Sequence, residues 1–279
     1  MPSDNDFLAL EALIRSVDPK RVKRPDMPIG TYLQEAEDLL VWLGPDLARL
    51  VERGLDPAVV EGLPRRIGAV RCLQSRWNTS RLSDEEAQVR FAREAVAARD
   101  LLARLVHELR FAYRGHPGLG RSVRAIARRS GDAHLVQGLS DLSVLGRDQP
   151  EPLAAIKFDM ALLDEAASAS DGLAGALAEA RGAEAVDREA KALRDKAYTL
   201  LKESVDGIRE FGRFVFWRDE DRRRGYGSAY KRDSRSKSAS RSAEPGSSGD
   251  PERHQPGGPS QMAEDLQYLP EDSCDTTEA

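Results

Sequence analysis

From Val186 to Val215, apolar residues recur every three or four positions. They are Val186, Ala190, Leu193, Ala197, Leu200, Ile208, Phe211 and Val215, with Ser204 keeping the register between Leu200 and Ile208. A half-buried strand would alternate every second residue, whereas this spacing winds onto one side of an α-helix. The pattern predicts a helix over residues 184–217, about 50 Å long at 1.5 Å per residue. Leu200 and Ile208 would face the core, with Val205 and Arg209 toward the boundary or outside. A charged outer face and a narrow, coiled-coil-like apolar seam suit a helix packed antiparallel in a bundle.

The same period runs through the rest of the body. Thr31 and Gln34 have capping-box spacing, and Leu33, Ala36, Leu40, Leu43, Leu47 and Leu50 form a stripe that Gly44-Pro45 interrupts. Asp56-Pro57 reads as the N-cap and first residue of another helix, and Pro64 as the start of a fresh segment. Ser83 with Glu86 predicts a further helix start, leading into Ala87, Phe91, Ala95, Ala98, Leu102, Leu105, Leu109 and Ala112. Gly115 and Pro117 stop it. Two shorter helices are expected near 119–130 and 133–145, the second capped by Asp132. Glu151-Pro152 should open a long helix that Gly182 separates from 184–217.

Strand-favouring aromatic and β-branched residues are sparse, and aromatics make up only 6% of the 279 residues. The expected fold is therefore all-α: a multi-helix, up-and-down bundle over residues 30–218, with its two halves meeting near 115–120. Residues 1–29 would supply a short helix, Phe7 to Val17, and a basic, proline-containing linker from Pro19 to Pro28. Residues 219–279 would be a disordered tail, rich in Ser, Gly, Pro and Asp from about Ser228 onward. Charge divides along the same lines. Residues 218–241 balance to +5 and residues 242–279 to −8, against a body of −2 and a total of −5.

Two cysteines, Cys72 and Cys274, cannot make a disulfide framework, which fits a reducing compartment. The segment Met1 to Asp6 has neither the basic start nor the apolar stretch of a signal peptide, and no apolar run reaches membrane-spanning length. A cytoplasmic location with no membrane partner is expected. On that expectation the glycosylation spacing of Asn78-Thr79-Ser80 carries no meaning.

Three segments suggest chemistry. Gly115-His116-Pro117-Gly118-Leu119-Gly120-Arg121-Ser122 matches a phosphate-binding loop except for Arg121 in the lysine position. A helix precedes it where that loop needs a strand, so a C-cap and turn account for it. Ser122 to Leu142 reads as helix, turn, helix, with Ala127 and Gly131 four apart as in DNA readers. Asp132 occupies a usually apolar position, however, and Val136 and Leu139 lie one place early. The third is the basic-aromatic run from Phe214 to Arg232. Within it Arg218, Arg222, Arg223, Arg224, Tyr226, Tyr230, Lys231 and Arg232 could contact nucleic acid or another anion. Cations following a helix C-terminus also complement its dipole, and aromatic rings can simply cap a bundle.

His107, His116, His134 and His254 form no Glu-x-x-His pair, no Cys/His spacing is catalytic, and no nucleophile elbow occurs. No catalytic residue, cofactor or metal ligand is assigned. The stretches Leu63-Pro64-Arg65-Arg66-Ile67-Gly68-Ala69-Val70-Arg71 and Phe214-Val215-Phe216-Trp217-Arg218 resemble parts of uncharacterised all-helical bacterial proteins with no known function. That resemblance covers about residues 30–232 and implies an all-helical fold and no activity. The functional expectation is a non-catalytic helical-bundle adaptor or scaffold whose partner is a protein. The alternatives are a nucleic-acid-associated protein using residues 121–137 or 213–241, and an enzyme with an unrecognised carboxylate site.

Overall fold

The computed structural model describes residues 2–242, all of them helix, turn or extended connection; among the described residues there is no strand. Met1–Ser234 is one compact unit, and a second unit begins at Arg235. The expected disorder of residues 243–279, together with Cys274 and His254, lies outside the described residues.

Helix α1 (Pro2–Arg15) leads through a short 3-10 turn (Pro19–Arg21) and an extended stretch to α2 (Ile29–Leu43). Gly44-Pro45 breaks the next stripe into a 3-10 turn and α3 (Leu47–Glu52), as proline sterics require. Helix α4 (Pro57–Glu61) starts with Asp56 accepting a hydrogen bond from the Ala58 amide at 2.9 Å. Then come the 50-residue α5 (Leu63–Ala112), α6 (Pro117–Ala127), α7 (Asp132–Asp148) and the short α8 (Pro150–Ala155). The 55-residue α9 (Ala161–Val215) is followed by α10 (Glu220–Gly225) and α11 (Ala229–Ser242).

The long helices α5 and α9 run antiparallel along one another for most of their length. Arg194 reaches Gln74, Ser80 reaches Asp187, Gln88 reaches the Ala180 carbonyl and Arg90 reaches Glu179. At one end they share a core with α1 to α4, built on Phe7, Ile14, Tyr32, Leu63, Leu201 and Ile208. At the other end they share a second core with α6 to α8, built on Phe91, Leu105, Leu139, Leu153, Leu163 and Leu173. Between Leu73 and Phe91 on α5, and between Ala180 and Arg194 on α9, no side chain is fully buried. The cores are thus joined by a two-helix neck. The division of the body falls in mid-helix, and Gly115–Gly120 is a turn inside the second core rather than a border.

Several expected boundaries move, and at Ser83 and Gly182 the reason is that tertiary packing overrides a local signal. Ser83 does not open a helix; its hydroxyl donates to the Thr79 carbonyl within α5. Gly182 does not end one either, since α9 runs through it, and a lone helical glycine costs only about 1 kcal/mol. Thr31 lies inside the first turn of α2, which starts after Pro28. Gly131, at φ 99°, precedes α7 in the place expected of Asp132, which instead pairs with Arg99 at 3.3 Å. The helix expected from Glu151 stops after Ala155, where Lys157 turns left-handed and Asp159 restarts the chain by capping Ala161.

The C-terminal half of α9 is buried over a wider arc than its apolar stripe suggests. Ala197, Ser204 and Ile208 are buried as expected, but so are Tyr198, Leu201, Val205, Arg209 and Gly212. Val186 is 59% exposed and Leu193 and Leu200 are half-buried. The helix is gripped on two sides, by α5 and by the N-terminal helices, so a single seam underestimates its contacts. Residues 2–29 are part of this packing: Phe7, Ile14 and Met27 join the core, and Thr199 accepts a hydrogen bond from the Lys23 amide at 2.9 Å.

Candidate functional site: a cationic cleft and a C-terminal clasp

The residues expected to contact anions sit on α10, α11 and their approaches, and the most buried of them serve the fold. Asp219 caps α10 through the Arg222 amide. Arg222 donates to Asp46 at 2.8 Å and to the Trp42 carbonyl at 3.2 Å, with its guanidinium 4.5 Å over the Trp42 ring. Tyr226, fully buried, donates to the same Asp46 oxygen at 2.6 Å and stacks on Phe216. Ser228 and the Tyr230 amide both donate to Glu35, at 3.0 and 2.8 Å. Lys231 reaches Asp26 at 2.6 Å, and Arg232 donates to the Arg224 carbonyl.

Residues 219–233 are therefore a clasp across Asp26, Glu35 and Asp46, and the expectation of disorder from residue 219 is corrected. The signal for disorder was low apolar content, but this segment is held by charge-assisted hydrogen bonds to carboxylates about 180 residues earlier. Arg218, Arg223 and Arg224 remain exposed, Arg218 over its neighbour Trp217 and Arg223 beside Glu220.

Two of the carboxylates under the clasp, Glu35 and Asp26, are held in their ionised form. Burial works to raise Glu35, yet the Tyr230 amide, the Arg209 guanidinium and the Ser228 hydroxyl outweigh it and hold the group below its ordinary value. Lys231 does the same for Asp26. A carboxylate this engaged is poorly placed to exchange protons with a substrate.

The other sequence candidates are placed plainly. Gly115–Ser122 follows α5 and enters α6, with Arg121 and Ser122 at the surface. Helix α7, the would-be reading helix, packs against both α5 and α9 through Leu135, Leu139 and Leu142. Its exposed side offers His134, Gln137, Val144 and Arg147, and Arg129 at the preceding turn is paired with Asp141. Among the described residues, no group of three His, Cys, Asp or Glu is arranged to hold a metal ion, and no helix is long and apolar enough to cross a membrane.

The feature that sequence reading missed lies at the base of the neck. A cleft of about 370 Å³ opens between residues 24–28, the start of α2, α5 and α9. Its floor carries Arg194, whose side chain is 7% exposed and which donates twice to Asp195, at 2.6 and 2.9 Å, and once to Gln74. The Arg194 guanidinium lies 4.1 Å over the Trp77 ring, and the Trp77 Nε1–H is buried without a hydrogen-bond partner. Met27 and Ile29 make the wall apolar, and Arg24 and Lys191 stand exposed at the rim. An ion pair between consecutive helical residues is invisible to a rule that reads i, i+3 and i, i+4 neighbours. In the sequence only the nearby run Lys20-Arg21-Val22-Lys23-Arg24 points this way, and its charge and flanking prolines give it the look of a linker.

Comparison with protein families, with curated proteins and with solved structures gives no match. The stretches that carry the resemblance to uncharacterised helical proteins, 63–71 and 214–218, begin α5 and close α9.

Proposed function

We propose that this chain is a non-catalytic adaptor or scaffold that binds another protein, in the cytoplasm. The observation that carries this reading is an apolar line on the outer side of α5. Leu82, Val89 and Val96 lie seven residues apart and are 56%, 69% and 61% exposed, while Phe91, Ala95 and Ala98 pack inward. Seven residues is close to two helical turns, so the three aliphatic side chains form one seam on a rod about 75 Å long. Scattered surface aliphatics need no explanation, but an aligned set beside a thinly packed neck is what a partner helix buries.

The test is affinity capture of the full chain from its native cell, beside the Val89→Glu, Val96→Glu double variant. A stoichiometric polypeptide retained by the native chain and lost by the variant, at equal melting temperature, supports the reading. Capture of no polypeptide, or equal capture by both, overturns it. The nucleic-acid alternative is weakened because Arg222, Tyr226 and Lys231 are engaged in the clasp, leaving Arg218, Arg223, Arg224, Arg232 and the Tyr230 ring at the surface.

A further inference from the structure

We infer that the cleft at the base of the neck is a second binding site, one that receives an acidic segment of a protein partner. The inference rests on the protein-binding reading for the kind of partner but on a different set of residues, whose α5 members, Gln74 and Trp77, precede Leu82 on the same helix.

The first support is charge. Among the described residues Lys20, Lys23, Arg24 and Lys191 make no ion pair, whereas Arg21 is held by Glu203 and Lys231 by Asp26. Arg24 and Lys191 come from segments far apart in the chain and flank one opening. Lys20 and Lys23 extend the positive charge along the stretch that forms its wall. The carboxylate at the floor, Asp195, is already taken up by Arg194, so it does little to cancel that field. Unpaired cations at the mouth of a low-dielectric recess raise the local concentration of anions and hasten their arrival.

The second support is the cost of the floor. Withdrawing Arg194 and Asp195 from water is expensive, and a pair of apolar residues would serve stability as well or better. Here the pair fixes the Trp77 ring against the guanidinium and leaves Arg194 with N–H groups to spare, since its five donors make three hydrogen bonds. Arg194 lines the cleft, so a carboxylate entering it comes up against that guanidinium.

The third support separates acidic protein from phosphate. The side chains of the cleft wall, Pro25, Met27, Pro28 and Ile29, are apolar, and of these residues the two prolines offer no backbone N–H to an anion while Ile29 opens α2. An apolar wall beside a cationic rim matches a segment with Asp or Glu flanking a large apolar residue. It matches a uniformly charged phosphate backbone poorly, and a cleft of this volume holds about one such anchor with its neighbours.

The probe is a fluorescein-labelled dodecapeptide alternating Glu with Leu and Gly, titrated with the full chain and followed by anisotropy. Saturable binding is expected, weakening with added salt and falling about tenfold or more in the Arg24→Ala, Lys191→Ala double variant. Both side chains are exposed, so the variant should keep its melting temperature. A scrambled-charge peptide with Lys for Glu should not bind. Absent binding, binding unchanged in the double variant, or tighter binding of a single-stranded oligonucleotide at the same salt would each overturn the inference. The Val89→Glu, Val96→Glu variant should bind the peptide normally. The cellular capture experiment thus fails or succeeds separately from this one.

Discussion

Arg209 on α9 donates to Glu35 on α2 at 2.8 Å, and each side chain is only 10% exposed. The pair joins elements 174 residues apart and sits under the clasp, where Ser228 and the Tyr230 amide add two donors to the same carboxylate. Removing one member of such a pair leaves the other buried and uncompensated.

Arg209→Ala should therefore lower unfolding free energy by about 3–5 kcal/mol, far above the fraction of a kcal/mol expected for a surface arginine. The double variant Arg209→Met, Glu35→Leu should recover part of that loss, because the isolated charge is gone. Urea melts of the three proteins measure it. An Arg209→Ala loss below 1 kcal/mol would mean the pair is solvated in solution.

Two glycines seat the clasp. A Cβ on Gly212 would overlap the Tyr226 ring, and one on Gly225 would overlap the Trp42 indole. Gly212→Ala and Gly225→Ala should each cost about 1–3 kcal/mol by overpacking. Gly182→Ala in the neck meets nothing within 4 Å and should stabilise the chain by about 0.5–1 kcal/mol. Opposite signs in thermal melts are the expected outcome, and equal signs would show the clasp unseated.

Acid should open the clasp before it unfolds the rest. Glu35 and Asp26 both titrate below their ordinary values in the folded chain. The folded state then binds fewer protons than the unfolded one through that range, so their contribution is complete above about pH 5 and fades as pH falls through the depressed values. The protection factor of the Tyr230 amide, which donates to Glu35, should fall below about pH 4 ahead of those of the α5 and α9 amides. In Glu35→Ala, which removes the acceptor, the Tyr230 amide should lose its protection at every pH. A native amide equally protected at pH 3 and pH 7 would remove the carboxylates from the account.

What could be read from the sequence was what proline, capping side chains and period dictate locally. Asp56-Pro57, Gly44-Pro45 and Pro64 all act where local chemistry places them. Ser83 and Gly182 misled because a local signal worth about 1 kcal/mol competes with helices of 50 and 55 residues zipped side by side. Arg209 misled for a related reason. Periodicity marks a charged residue as outward, and nothing local shows that Glu35 waits across the interface. Tyr226 and Arg222 looked like anion contacts because their partner, Asp46, is distant in the chain. The cleft was hidden the same way, since Trp77, Arg194 and Arg24 come from three separate segments.

Cys72 offers a check on α1, the element whose packing the sequence least suggested. Its thiol donates to Asp4 at 3.1 Å, and burial, reinforced by that carboxylate, pushes it up to about 11. Thiolate is the reacting species, so in a Cys274→Ser background the native chain should alkylate with iodoacetamide at pH 8 at least about 100-fold more slowly than in urea. Asp4→Ala removes a charge that disfavours the thiolate and should quicken the native reaction severalfold. Deleting residues 2–15 uncovers Cys72 and should bring the rate close to that of the unfolded chain. Fast alkylation of the native Cys274→Ser protein would place α1 away from α5 in solution, and the core shared by Phe7, Ile14 and Ile67 with it.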